Sequence, residues 1–263
     1  MNPIRNWKRF VAVTCNHAHL VNDSAHAEFF QFVENYKPSM RVHLGDVWDA
    51  ACWRNGAGGG PDSSKSISED FEHGQDFLRN FHPNIVFLGN HDVRPFEHLD
   101  HPNAIVAQAA ASHVKSISDF IRTELTSEMV DYDIRKGWRR LGNTLFGHGY
   151  MHNENAARDH AEMLGAPVVI GHIHTLTMLP GRSVNAPCGY SAGCLIDVEK
   201  ARYASRRRAT HRWRNGWVYG EYCEDDCKVF LHAAKMEPLS YGQIQEPQTE
   251  PANRTEILDY ATF

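Results

Sequence analysis

The feature that most constrains this chain is a recurrence: short apolar runs, each stopping at a polar motif built from Gly, His, Asp or Asn. Residues 10–14 (FVAVT) run into Cys15-Asn16-His17, 40–44 (MRVHL) into GDVWD, 84–88 (NIVFL) into GNHD, 144–146 into GHG and 167–170 into GHIH. Apolar runs this short, bounded by turn formers, read as buried strands. Helical patterns separate them: one from Asp23 or Ser24 to about Tyr36 and closed by Pro38, then others over 67–81, about 104–125 and within 153–164. Alternating strands and helices predict an α/β fold. In open α/β sheets ligands collect beyond the carboxyl ends of the strands, so the five motifs are expected on one rim. A single Gly-Asp or Gly-His after a strand is an ordinary turn; five in succession are not.

The rest of the chain narrows the setting. With 42% hydrophobic residues in 263, the protein is globular. No apolar stretch approaches the about 18 residues of a membrane span. The basic start, MNPIRNWKRF, meets only four apolar residues and lacks the middle section of a secretion signal, so a cytoplasmic location is expected. The six cysteines (15, 52, 188, 194, 223 and 227) read as reduced thiols or ligands, with a local Cys223–Cys227 pair as the exception left open. A net charge of -5 argues against coating nucleic acid by bulk electrostatics. Residues 1–235 read as one domain, with the 55–82 loop and helix inserted near the motifs. From Gly189 the pattern turns to strands, with Asn215-Gly216 expected as a hairpin turn and 223–227 (CEDDC) as another. Residues 236–263, rich in Pro, Gln, Glu and Thr, read as a flexible tail.

The 17 histidines matter for where they fall. Asp, His and Asn, with a possible Cys thiolate, are ligands for Mn, Fe or Zn, whereas an all-oxygen set would suit Mg or Ca. Two ions need a shared carboxylate, and Asp46 at the second strand tip is the natural bridge. The set GD-x-x-D, GNH[DE], GH and GH-x-H resembles the calcineurin-like metallophosphoesterases over about 10–195. That resemblance implies a four-layer sandwich of two mixed β-sheets flanked by helices, with a binuclear centre of two divalent metal ions. It implies Asp46 as the bridge, Asn90, His148 and His172 on one ion, and His17 and His174 on the other. His91 would sit near the substrate without binding metal, steadied by Asp49, and the nucleophile would be a hydroxide bridging the ions.

The first motif departs from the family's usual Asp-x-His. Either Cys15 fills the Asp position with His17 after it, or His17 fills it with His19 after it. Strand length and the small Ala18 favour Cys15. A Cys there is similar to the RNA lariat debranching enzymes of the same family and implies a softer ligand, suited to Fe or Zn.

Two divalent cations, less the charges of Asp46, a Cys15 thiolate and a bridging hydroxide, leave a net charge of about +1, suited to an anionic phosphoryl group. Arg54 in the Gly-rich loop and Arg94 after GNHD are candidate phosphate contacts. Trp48 is expected in the core, and Trp53 flanks the same loop. Arg202, Arg206, Arg207, Arg208, Arg212 and Arg214, interleaved with Trp213 and Trp217, read as a charged edge or a nucleic-acid contact. The expected function is metal-dependent hydrolysis of a phosphate ester, as a phosphodiesterase acting on a nucleotide or nucleic acid. The alternatives are a phosphomonoesterase, including one acting on phosphoproteins, and a non-catalytic nucleotide or nucleic-acid binder with a degraded first metal site.

Overall fold

Both faces of the first strand, β1 (Lys8–Val13), are covered over its apolar half, and that fixes the architecture. In the computed structural model, which describes residues 5–58, 65–201 and 208–235, Phe10 and Ala12 enter one apolar cluster while Val11 and Val13 enter another. Successive side chains of a strand leave opposite faces, so a strand apolar at every position lies between two covering layers.

The first sheet sets β1 beside β2 (Met40–His43), β3 (Ile85–Phe87) and β4 (Glu128–Val130), all parallel. On the other side of β1 run antiparallel strands placed late in the chain, β10 (Gly216–Tyr222) and β11 (Cys227–Ala233). The second sheet has β6 (Thr144–Gly147), β7 (Val168–Ile170) and β9 (Gly189–Ala192) parallel at its centre. Antiparallel edges, β5 (Arg139–Leu141) and β8 (Leu176–Leu179), complete it. Between the sheets Phe10, Val42, Leu44 and Phe87 meet Phe146, Val169 and Ala192; the rings of Phe10 and Phe146 stand edge to face at 5.3 Å.

Helices α1 (Asp23–Tyr36), α2 (Ile67–Phe81) and α3 (Ala104–Asp119) cover the first sheet through Phe29, Val33, Phe77, Phe81 and Ile117. Helix α4 (Ala156–Leu164) covers the second, its alanines 156, 157 and 161 clustering with Val168 and Ile170. The result is the expected sandwich of two mixed sheets flanked by helices. Among the described residues no helix is long and apolar enough to cross a membrane.

Helix starts follow from capping, in which a side-chain oxygen takes up an otherwise unpaired N–H. Asn22, one residue before the expected cap, accepts from the Ala25 N–H at 2.9 Å. Ser66 accepts from the Glu69 N–H at 3.1 Å. Helix α3 passes into a π-helical turn, Phe120–Glu124, so the segment expected as one helix changes pitch near its end. Helix α2 lies directly on Trp48: a Cβ at Gly74 would stand 2.1 Å from the indole Nε1, so only glycine permits this approach. Trp48 is buried as expected, and its Nε1 donates to the Phe71 carbonyl at 3.1 Å.

One detail differs from the sequence reading, and one that it left open is settled. Asn215-Gly216 is not a hairpin turn; Gly216 opens β10, and the chain reverses between β10 and β11, where the Cys223 N–H donates to the Asp226 carbonyl at 2.9 Å. Tertiary partners take up the Asn-Gly pair instead: Asn215 Nδ2 donates to the Ile196 carbonyl at 2.9 Å and the Gly216 N–H to the Cys194 carbonyl at 3.1 Å. All six thiols are free, so Cys223 and Cys227 do not pair. The expected tail 236–263, the glycine-rich 59–64 and Arg202, Arg206 and Arg207 lie outside the described residues.

Candidate metal centre

The five motifs meet on one rim. From the first sheet come Cys15 and His17 after β1, Asp46 and Asp49 after β2, and Asn90 and His91 after β3; from the second come His148 after β6 and His172 and His174 after β7. Cys15, His17, Asp46 and His174 bring one ligand atom each within 4.8 Å of one another, and so do Asp46, His148 and His172. Asp46 belongs to both groups. Cys15 Sγ lies 3.9 Å from Asp46 Oδ2, and His17 Nε2 lies 3.8 Å from Asp46 Oδ2 and 3.4 Å from His174 Nε2. On the other side His148 Nε2 is 3.3 Å from the same Asp46 oxygen. Asn90 Oδ1 sits between His148 Nε2 at 3.2 Å and His172 Nδ1 at 2.8 Å. His19, the alternative first-motif ligand, instead pairs with Asp70 at 3.4 Å.

The backbone is bent to present these groups. Cys15, His17, Asp46, His172 and His174 all have φ between 49° and 63°. Left-handed geometry is costly for side-chain-bearing residues and collects at functional sites. Gly89 supplies the closeness: a Cβ there would lie 2.2 Å from Asp46 Oδ1, so the GNHD turn can abut Asp46 only without a side chain.

A carboxylate absent from the sequence reading organises the first-sheet rim. Asp92, fully buried, accepts from the backbone N–H groups of Asp46 at 2.7 Å, Gly89 at 2.8 Å and Trp48 at 3.0 Å. It ties the β2 and β3 loops together. Burial and the neighbouring Asp46 carboxylate push it up to about 7, against the pull of the N–H groups. Asp70 on α2 does similar work behind, accepting from the Asp49 and Ala50 N–H groups at 3.2 and 2.9 Å. Asp92 stood inside the GNHD motif, and that was its signal; Asp70 carried none, since only folding brings α2 to this loop.

Burial works to raise the Asp46 carboxyl, but His148, His91 and His17 together hold it well below the usual carboxylate range. Asp49 is likewise lowered, because hydrogen bonds with His17 (3.3 Å) and His91 (3.1 Å) outweigh its burial. Burial holds His172 neutral, down to about 3, and with His17 it lowers His174 well below the ordinary imidazole value. Burial and Asp46 push the Cys15 thiol well up. His148 Nδ1 stands 2.7 Å from the Leu44 carbonyl and donates to it, which leaves Nε2 facing Asp46 and Asn90; burial works to lower this imidazole, but Asp46 outweighs it and raises it above the ordinary value. His174 Nδ1 is buried and has no hydrogen-bond partner among the described residues. Imidazole nitrogens, a thiol and a carboxylate oxygen facing one another form a donor set that fits divalent cations of the Mn, Fe or Zn type.

His91 stands beside both groups. Its Nδ1 contacts Asp49, and its Nε2 is 3.2 Å from Arg94 Nη2, whose other arm donates to the Asp49 carbonyl at 2.6 Å. A guanidinium only donates, so Nε2 accepts and Nδ1 carries the proton here. Arg94 therefore backs His91 and does not line the cleft; exposed Arg54 does not line it either. Arg212 and Trp213 of the basic run do, with His152 and Glu154 opposite.

No protein-family model matches the chain. It is 25% identical over 208 residues to the Gene 54 protein of Mycobacterium phage D29, covering 71% of this chain and 78% of that one. Among solved structures it is similar to a metallophosphoesterase from Sphaerobacter thermophilus (TM-score 0.46, 15% identity, 88% of this chain and 90% of that one). It is also similar to Vps29 from Chaetomium thermophilum (0.41, 8%, 86% and 95%) and to Yfce, a phosphoesterase from E. coli (0.37, 11%, 86% and 100%). At these TM-scores the likenesses carry no chemistry; the arrangement around Asp46 has to do so.

Proposed function

We propose that this protein is a metal-dependent phosphoesterase with two divalent cations, acting as a phosphodiesterase on a nucleotide or nucleic acid. The observation that carries the reading is the place of Asp46 in two ligand groups at once. Cys15, His17 and His174 would hold one cation and Asn90, His148 and His172 the other, with Asp46 common to both. A cation pair supplies an activated water and charge to clamp the attacking and leaving oxygens of an in-line displacement.

The chain's own groups do the rest. Asp49 fixes the rings of His17 and His91. His91 would deliver a proton to a leaving alkoxide from Nε2 after Arg94 releases that nitrogen and Nε2 takes up a proton from solvent, Nδ1 keeping its own toward Asp49; a phosphate oxygen is the group a guanidinium would turn to. Burial of Cys15 keeps its thiol protonated until a cation displaces the proton.

Metal quantification on anaerobically purified protein, paired with aryl phosphodiester and monoester hydrolysis in added Mn, Fe or Zn, tests this. Two equivalents of metal and faster diester turnover are expected. Faster monoester turnover would make it a phosphomonoesterase. One equivalent or none, without hydrolysis under any metal, would leave a binding protein.

A further inference from the structure

The cleft over the candidate centre has a volume of about 300 Å³. Asp46, Asn90 and His172 line its floor, and Thr210, Arg212 and Trp213 with the loop before α4 form its walls. Trp213 is held unusually firmly in one wall. The Arg214 N–H donates to the carbonyl of His174 at 2.9 Å, and the Cys194 N–H donates to the Arg214 carbonyl at 3.1 Å. The Trp213 ring lies 4.1 Å from the His174 ring, centre to centre, at 67°, and the indole also rests on the cluster of Cys15, Leu20 and Cys194. The backbone thus pins an aromatic ring beside a candidate ligand, while part of its surface lines the cleft. Across the opening Arg212 Nη1 pairs with Glu154 Oε2 at 2.7 Å and joins the two walls.

This is a wall for a flat, polar ring. Among the described lining residues only Trp213 and Ile173 are large and apolar, and the others are polar or charged. A heteroaromatic ring gains stacking on one side and hydrogen bonds with those polar groups at its edge. The volume sits at the lower end of the about 300–1,000 Å³ of small-molecule sites, enough for one nucleotide unit rather than a strand. Resting on the phosphoesterase reading, we infer that the substrate is a nucleotide ester with a single base seated against Trp213, which makes Trp213 a specificity-determining residue.

Competitive binding of adenosine monophosphate and ribose 5-phosphate to the metal-loaded protein tests this, because the two differ by the base alone. Stacking a base on an aromatic side chain is worth roughly 5- to 150-fold, so the nucleotide should bind at least about 5-fold tighter. Trp213→Ala should collapse that ratio toward one, and Trp213→Phe should restore most of it, with metal content measured in each variant. Equal binding of the two probes to the unaltered protein, a ratio unmoved in Trp213→Ala, or tighter binding of O-phosphotyrosine would overturn the inference. Failure of the phosphoesterase reading would show differently, as missing metal and no hydrolysis of either ester class.

Discussion

The two sheets contribute to the candidate centre in different ways. The first-sheet rim is tied together without any ion. Asp92 gathers three backbone N–H groups, Asp70 gathers two, and the Asn16 side chain donates to the Val47 carbonyl at 3.1 Å while its oxygen meets His43 Nε2 at 2.9 Å. The second-sheet rim brings imidazoles with unfinished business: among the described residues His174 Nδ1 has no hydrogen-bond partner, and His172 Nε2 meets the exposed His152 at 3.4 Å. One rim is a finished scaffold; the other leaves donors that a cation would complete. Metal binding at this centre would therefore clamp the second sheet onto the first.

The largest effect should come from breaking the group both rims share. Asp46→Asn removes the anionic charge common to both sites and is expected to lose bound metal and roughly 10³-fold in turnover; metal analysis alongside kinetics checks both losses. His91→Ala is the counter-case. His91 belongs to the finished rim and is satisfied by Asp49 and Arg94, so the variant should keep both metals and lose about 10²–10⁴-fold on esters with poor leaving groups. Equal loss on activated and unactivated esters would contradict a proton-donating role.

Chelation sharpens the comparison directly. Ligand at about 100 times its dissociation constant adds about 2.7 kcal/mol, and that increment should vanish when metal is stripped. Hydrogen exchange should rise most in 148–154 and 171–175 and least around Asp92; equal loosening of both rims would refute the asymmetry.

The pH dependence of the metal-free protein tests the buried imidazoles of both rims. Burial holds His43 and His172 down to about 3, against 6.5 for a free imidazole. Below pH 6.5 the unfolded chain binds protons that His43 and His172 refuse in the fold, which costs stability as the pH drops toward 3, while Asp92 and His148, both raised in the fold, take up protons first and offset part of that loss. Asp49, also lowered, extends the loss at the acidic end. Denaturant titrations between pH 7 and 4 should show this slope, and His43→Asn should flatten it by up to about 1.4 kcal/mol per pH unit.

The strand-tip motifs were legible because their chemistry is local: an apolar run, a glycine and a polar tip sit within a few residues of one another. The same locality found β1, β2 and both faces of the sandwich, since FVAV has no polar side to leave in water. Asn215-Gly216 was misread for the converse reason. Its local preference is a turn, and carbonyls from Ile196 and Cys194, about twenty residues upstream, outbid it.

What the chain's order alone determined is the inventory at the rim, Cys15 through His174, because strand length and motif fix which side chain follows each strand. Only folding decided how those side chains are held. Asp70 reaches the β2 loop because α2 lies on Trp48, and Trp213 reaches His174 because a backbone hydrogen bond from Arg214 pins it there. Contacts between segments so distant along the chain depend on where whole layers settle, and no short-range pattern encodes that.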